Sequence, residues 1–173
     1  MTSTRRVGRL ALADIDPSSQ IVLQAKLEQL RELAHWVGQI GAQFQLPAAL
    51  VHRIDICLTE LVTNLISYGY ADGRIGTVKI RFWRQPECIV IRVDDDGAHF
   101  NPTSYEPPGL PTSLADAPIG GRGIRLVRHF SDDLQYIVES TGNHLLLVFQ
   151  AGANGTKAAA AESAVNAASD RDR

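Results

Sequence analysis

Apolar side chains recur every three or four residues through two segments of the N-terminal half of the chain, and this spacing predicts two amphipathic helices. The first is predicted at about residues 19–44, with an apolar side formed by Leu23, Leu27, Leu30, Leu33, Val37, Ile40 and Phe44. The second is predicted at about 47–69, with an apolar side formed by Val51, Ile54, Leu58, Leu61, Val62 and Leu65. Pro47 separates the two helices, because proline is tolerated in the first turn of a helix but not in its interior.

Alternation of apolar and polar residues predicts β-strands before and after these helices. The strands predicted in this way are 7–13, 77–83, 88–93, 134–139 and 144–150. Turn residues at 85–87 and 141–143 join the last four strands into two hairpins, and a short helix at 124–130 lies between the hairpins. The segment 145–149 is apolar throughout, which is typical of a central strand that is covered on both faces.

The order of predicted elements is strand, helix, helix, two strands, long loop, helix and two strands. Because hairpins join most neighbouring strands, we expect a mainly antiparallel sheet with the helices on one face, which is an α/β (α+β) two-layer sandwich. One folded domain is expected over residues 1–150, and the Ala-rich, polar segment 151–173 is expected to be a disordered tail. The Pro- and Gly-rich segment 98–121 has no periodicity, which is typical of an active-site lid or of disorder.

Composition and charge exclude several classes of protein. The chain has 173 residues with 45% hydrophobic and 21% charged residues, a profile typical of a soluble globular domain. Its net charge of −2 argues against a nucleic-acid or membrane-surface partner, since such partners select basic patches. The sequence contains no predicted signal peptide or membrane span. Cys57 and Cys88 match no metal-binding spacing, so we expect reduced thiols in a cytoplasmic protein.

The first candidate for chemistry is a pair of polar residues on the second predicted helix. Glu60 and Asn64 are four residues apart, so they lie one above the other on a helix face that is separate from the apolar side. A solvated outer face would also have this pattern. As a functional pair, Asn64 would offer an amide oxygen suited to Mg²⁺, and Glu60 could take a proton from an attacking hydroxyl group.

Two further candidate segments follow in the chain. Asp95 and Gly97 stand at the end of a strand, where a carboxylate can accept a hydrogen bond from an exocyclic amine and glycine lets a flat ring approach. Gly121, Arg122 and Gly123 open a helix, and the free N–H groups of a helix N-terminus suit phosphate. Taken singly, these segments are equally consistent with an acidic turn and a glycine-rich turn.

In combination, the three segments resemble a known family. The ordered sequences ELVTN, DDDGAHFNP and GGRGIRLVRHFSDD are similar to the N, G1 and G2 boxes of the GHKL ATP-binding superfamily, which has the Bergerat-type fold. The short chain and the pattern of the third segment resemble, more closely, the anti-sigma-factor serine/threonine kinases. The resemblance spans about residues 7–150, nearly all of the part that is predicted to fold.

The resemblance implies a role for each candidate residue. Asn64 would bind Mg²⁺, Glu60 would be the catalytic base, Asp95 would bind the adenine amino group and Gly97 would let the ring approach. Gly121, Arg122 and Gly123 would contact the phosphates of ATP, and the 98–121 segment would be the lid. The implied activity is transfer of phosphate from ATP to a serine or threonine of an anti-anti-sigma protein, together with sequestration of a sigma factor. Members of the family often work as homodimers.

The sequence departs from the family pattern at two positions, and other functions stay open. His99 stands where the first glycine box often has a second glycine, which would narrow the nucleotide pocket, and Tyr68 stands where many members have histidine. A nucleotide-gated switch that binds a partner without transferring phosphate is therefore one alternative. A histidine kinase is disfavoured, since the chain has no second helical domain with a phospho-accepting histidine, and an unrelated ligand remains the last alternative.

Overall fold

In a computed structural model of the protein, the residues that can be described are 16–70, 73–99, 101, 122–139 and 142–150. They form three α-helices and five β-strands: β1 Ser19–Gln24, α1 Leu30–Gln43, α2 Ala48–Asn64, β2 Thr77–Arg84, β3 Cys88–Asp95, α3 Arg122–Phe130, β4 Asp133–Glu139 and β5 Gly142–Gln150. A 3₁₀ turn, Leu27–Gln29, precedes α1, and a π-helical turn, Leu65–Gly69, extends α2. The strand predicted at 7–13, nearly all of the predicted lid and the predicted tail at 151–173 lie outside the described residues.

The five strands form one antiparallel sheet in the order β1-β2-β3-β5-β4. The core side of all three helices packs against one face of this sheet, so the predicted two-layer α+β sandwich is confirmed. Side chains alternate between the two faces of each strand, and those facing the helices are the larger apolar set. The most deeply buried of them are Val78, Ile80 and Phe82 on β2, Ile89 and Ile91 on β3, and Leu147 and Phe149 on β5.

The prediction for residues 19–24 was wrong, because this segment is strand β1 and not the start of the first helix. It pairs with β2 from Ser19 opposite Phe82 to Gln24 opposite Thr77. Leu23 fits either period, which is why the helical spacing seemed to continue, but Leu27 is 60% exposed and takes no part in the core. The strand wins because alternate residues face the core, and because pairing satisfies the backbone groups along the β2 edge.

The other predicted elements lie where expected, with one local correction. Helix α2 and its extension cover almost all of 47–69, and Gln85 N donates to Cys88 O at 2.9 Å to close the predicted β2–β3 hairpin. Strand β5 is central, and its Val148 is buried on the face opposite the helices with Trp83 of β2. Asn143, predicted in a turn, is instead a strand residue paired with Asp95. No described helix is long and apolar enough to cross a membrane.

One partly buried ion pair joins α2 to the end of α3 and to β5. Arg53 of α2 donates from Nε to the carbonyl oxygen of Phe130 at 2.9 Å and from Nη2 to Asp132 Oδ2 at 2.8 Å. The same Asp132 oxygen accepts from the backbone N–H of Gln150 at 2.8 Å. Only 12% of the Arg53 side chain and 19% of the Asp132 side chain are exposed. The pair therefore sets the position of α3 on α2.

We expect Arg53→Met to lower the free energy of unfolding by about 2 to 3 kcal/mol, because it removes two charge-assisted hydrogen bonds and leaves the Phe130 carbonyl without its donor. The measurement is urea denaturation, and the matched control is Arg84→Met, an exposed arginine on β2 whose loss should change stability by less than about 0.5 kcal/mol. Equal losses in the two variants would contradict a special role for Arg53.

Candidate functional site

The three consecutive aspartates at the end of β3 have three different environments. Asp94 faces away from the helices and forms ion pairs with Arg81 and Arg92, each at 2.5 Å, and its Oδ1 lies 2.5 Å from His144 Nδ1. Asp96 lies just beyond the strand, where Arg74 contacts it at 2.7 Å. Asp95 lies between them on the helix side of the sheet, because successive strand residues face opposite sides. Like charges that would repel each other are thus separated and individually paired, and only Asp95 faces the helical layer.

Asp95 is held by hydrogen bonds to one of its two carboxylate oxygens. Oδ1 accepts from the backbone N–H of Gly97 at 2.9 Å and from Asn143 Nδ2 at 2.9 Å. Burial raises the pKa of this carboxyl group, and the hydrogen bonds from Asn143 and Gly97 oppose that effect. The other oxygen, Oδ2, has no hydrogen-bond partner among the described residues, so it is available as an acceptor for a ligand donor group.

Gly97 packs directly against the end of the α2 extension. A Cβ atom at this position would lie 2.9 Å from the carbonyl oxygen of Gly69, closer than carbon and oxygen normally approach. The next residue, Ala98, donates its N–H to the same oxygen at 2.8 Å. The loop that follows β3 is therefore joined to the π-helical turn, a type of helix irregularity that is frequent at functional sites. This contact holds the loop after Asp95 against the end of the α2 extension.

Glu60 and Asn64 meet the first turn of α3. A Cβ atom on Gly123 would overlap Glu60 Oε2 and would lie 3.2 Å from Asn64 Nδ2. Both polar side chains are half-buried, and neither forms a hydrogen bond within the part of the chain that the structure describes. Two half-buried polar side chains that lack hydrogen-bond partners among the described residues and lie at a helix N-terminus are candidates for contact with a ligand.

Cys57, one turn before Glu60, takes no part in this chemistry. Burial raises the pKa of its thiol to about 12, the Arg53 charge partly offsets that rise, and the Glu60 charge adds to it. The thiol lies 3.8 Å from the carbonyl oxygen of Val127 on α3. A thiol with this pKa stays protonated at neutral pH and is not a nucleophile, so Cys57 is a packing residue between the two helices.

The residues present fit a magnesium nucleotide. Asn64 can supply a hard oxygen ligand, and Mg²⁺ is often held by one or two protein groups together with substrate phosphates. No cluster of three or more acidic, histidine or cysteine residues that could hold a metal occurs in the described ranges, so the phosphates would complete such a site. When bound, the metal ion would neutralise charge on the phosphates. The N-terminus of α3 would offer N–H groups to the same phosphates.

Sequence reasoning found part of this site and missed the rest. The structure brings Glu60, Asn64 and Gly123 together, and it places Asp95 with Gly97. Gly121 lies outside the described residues, and Arg122 begins α3 with a side chain that is not described. The residue missed was Asn143, because the sequence Thr-Gly-Asn is typical of a turn and was predicted to be one. Only the pairing of β3 with β5 places Asn143 opposite Asp95, and sequence spacing carries no signal of that pairing.

Comparison with known proteins shows what the chain as a whole is similar to. Residues 23–149 match the family described as the histidine kinase-like ATPase domain. The chain is 30% identical over 113 residues to a Bordetella bronchiseptica protein named serine/threonine-protein kinase BtrW, covering 65% of this chain and 80% of that protein. It is 35% identical over 88 residues to the anti-sigma F factor of Clostridium novyi, covering 51% of this chain and 60% of that protein.

A solved structure shares the fold at much lower sequence identity. It contains the RsbU and RsbW domains of a Mycobacterium tuberculosis protein, and it superposes with a TM-score of 0.51 at 13% identity. The superposition covers 75% of this chain and 30% of that one. At this identity the likeness supports the fold alone.

The close approach of α3 to α2 can be tested without any ligand. We expect Gly123→Ala to lower the free energy of unfolding by up to about 1 kcal/mol, because the added methyl group overlaps the flexible end of the Glu60 side chain, which must move away. Glu60→Ala in the same background should recover most of that loss, which a double-mutant cycle measures. The matched control is Gly38→Ala in α1, where the methyl group meets nothing within 4 Å and should stabilise by about 0.5 to 1 kcal/mol. Stabilisation by Gly123→Ala would contradict the packing.

Proposed function

We propose that this chain, which belongs to the histidine kinase-like ATPase domain family, acts as an anti-sigma-factor serine/threonine kinase. The protein binds Mg-ATP and transfers the γ-phosphoryl group to a serine or threonine of an anti-anti-sigma protein, and it sequesters a sigma factor. The observation that carries this proposal is the contact of Gly123 with Glu60 and Asn64, because it sets the proposed base and the proposed metal ligand beside the first turn of α3.

Each side chain has a defined task in the proposed reaction. Asp95 Oδ2 accepts a hydrogen bond from the exocyclic amine of adenine, and Gly97 leaves room for the ring. Asn64 holds Mg²⁺, and the N–H groups at the start of α3, with Gly121 and Arg122, contact the phosphates. Glu60 takes the proton from the attacking hydroxyl group as the new P–O bond forms and the bond to ADP breaks.

The relatives support the wider setting of the proposal. One relative is named a serine/threonine kinase and another an anti-sigma factor, so a kinase acting in a sigma-factor switch is the function that their names favour. We place the kinase domain within residues 1–150, which contain the whole family match, and assign 151–173 to a tail. A cytoplasmic location and a homodimer are part of the same proposal.

The nucleotide site is tested by titrating the protein with Mg-ATP in a calorimeter. We expect saturable binding by the parent chain and at least about tenfold weaker binding by Asp95→Asn, because the amide nitrogen repels the adenine amine at the position where the carboxylate accepts from it. The matched control is Asp94→Asn, the same change on the opposite face of the sheet, which should leave ATP affinity unchanged. Absence of binding by the parent chain would overturn the proposal.

Phosphoryl transfer is tested with Glu60→Gln, which keeps the size of the side chain but removes its basicity. We expect the rate of transfer to an anti-anti-sigma protein from the same organism to fall by about a hundredfold or more, while Mg-ATP affinity stays within about threefold of the parent. Intact-mass spectrometry of the substrate protein measures the transfer. If the parent chain binds ATP and captures that protein in an ATP-dependent manner without phosphorylating it, the nucleotide-gated switch is the correct function.

A further inference from the structure

A buried side chain outside the proposed catalytic set connects the candidate adenine residue to two strands and to the start of the loop after β3. Asn143 is the second residue of β5, is paired with Asp95 of β3 and is only 4% exposed. Its Nδ2 lies 2.9 Å from Asp95 Oδ1 and 3.2 Å from the carbonyl oxygens of both Gly97 and Ala98. One amide group therefore contacts the carboxylate and two residues of the loop that follows its strand.

The opposite side of the same amide receives two donors. Tyr136 of β4 donates its hydroxyl hydrogen to Asn143 Oδ1 at 2.6 Å, and His99 Nδ1 lies 2.7 Å from that oxygen. The orientation of the amide is fixed by its neighbours, because the Asp95 carboxylate and two carbonyl oxygens can only accept hydrogen bonds. His99 must then carry a hydrogen on Nδ1, since Asn143 Oδ1 is an acceptor.

The backbone allows this close approach through a glycine. Gly142 has φ +134°, a conformation that side chains rarely permit, and a Cβ atom there would overlap the carbonyl oxygen of Asp95. The Gly142–Asn143 pair thus lets β5 come close enough to β3 for the amide to reach the carboxylate. The two donors to Asp95 Oδ1 come from Gly97 and Asn143. The backbone at both donors is fixed, because Gly97 packs against Gly69 and Gly142 packs against Asp95.

We propose that Asn143 is a positioning residue for base recognition. It fixes the orientation of the Asp95 carboxylate, so that Oδ2 is presented as an acceptor in one position. The site therefore selects a 6-amino purine over a 6-oxo purine. This inference rests on the proposed function, since it deepens the role of Asp95 in ATP binding. His99 and Tyr136 support Asn143 from its other side, which gives the histidine of the first glycine box a part in the same network.

The electrostatics agree with this assignment. Burial raises the pKa of Asp95, and the hydrogen bond from Asn143 is the largest influence that lowers it. A protonated Asp95 could donate to a 6-oxo group, and a carboxylate free to rotate could avoid that group. Asn143 favours the charged and oriented form of Asp95, so neither protonation nor rotation of the carboxylate can accommodate a 6-oxo purine. Selectivity arises because a 6-oxo purine leaves the Asp95 acceptor unpaired.

The experiment compares Mg-ATP with Mg-ITP, which has a carbonyl group in place of the 6-amino group and an identical triphosphate. Dissociation constants are measured by calorimetry for the parent chain and for Asn143→Ala. We expect the parent to prefer ATP, and we expect Asn143→Ala to reduce the ratio of the two constants by about tenfold or more. ITP affinity should stay within about threefold of the parent, because the phosphate contacts are untouched.

The matched control is His144→Ala, the next residue of β5. His144 is equally buried, at 5% exposed, but it pairs with Asp94 on the opposite face of the sheet. It should lower stability without changing the ATP-to-ITP ratio. If Asn143 has a purely structural role, Asn143→Ala should weaken the affinities for Mg-ATP and Mg-ITP equally and leave their ratio unchanged. That result would overturn this inference, while ATP binding by the parent chain would still support the proposed function.

A second pair of variants keeps the inference testable if Asn143→Ala does not fold. His99 is exposed, so His99→Leu should fold, and it removes one donor to Asn143. We expect a two- to threefold fall in the ratio, about the effect of a single weak hydrogen bond, and its recovery in His99→Asn, whose amide nitrogen can replace Nδ1. An unchanged ratio in His99→Leu would overturn the inference. Absence of ATP binding by the parent chain would instead overturn the proposed function itself.

Discussion

Helix α2 must bury its apolar side against the sheet while two polar side chains, one turn apart, remain on the same helix, and the arrangement of the site depends on this constraint. Ile54, Leu58 and Val62 are completely buried, and at about 1.5 to 3 kcal/mol for each such side chain they fix the rotation of the helix on the sheet. Once that rotation is fixed, Glu60 and Asn64 face the first turn of α3. Glycine stands at the point of closest approach, and a side chain there would force the Glu60 carboxylate to move.

The sheet solves a second problem by its own periodicity. Three carboxylates in a row would repel one another, but a strand alternates its faces, so Asp94 and Asp95 lie on opposite sides and Asp96 lies past the strand end. Asp94 forms ion pairs with Arg81 and Arg92. Burial alone would raise the pKa of Asp96, but hydrogen bonds from Arg74, Thr77 and Tyr70 outweigh it and lower that pKa. Asp95 alone is left with amide donors on one oxygen and none on the other. A charge cluster thus becomes a single directed acceptor among the described residues.

Local patterns predicted what local physics decides, and they failed where distant parts of the chain meet. The apolar period of α2, the alternation along β2 and β3 and the apolar run of β5 were sufficient to predict the layers, since each element buries one side of itself. Residues 19–24 were predicted wrongly because Leu23 fits both periods, and only the edge of β2 decides between them. Asn143 was missed for a related reason, because its importance comes from the β3–β5 pairing and a Gly-Asn sequence ordinarily indicates a turn.

The network around Asn143 also includes His99, the residue at which the sequence departs from the family's first glycine box. His99, in place of a glycine, adds a bulky polar side chain next to the proposed adenine site. A hydrogen-bond partner for its ring is needed if the ring is to stay clear of the ligand. Asn143 Oδ1 supplies that partner at 2.7 Å, and the other end of the same amide holds Asp95. The departure at His99 and the residue that orients Asp95 are therefore physically coupled, so the missing glycine is not by itself an argument against nucleotide binding.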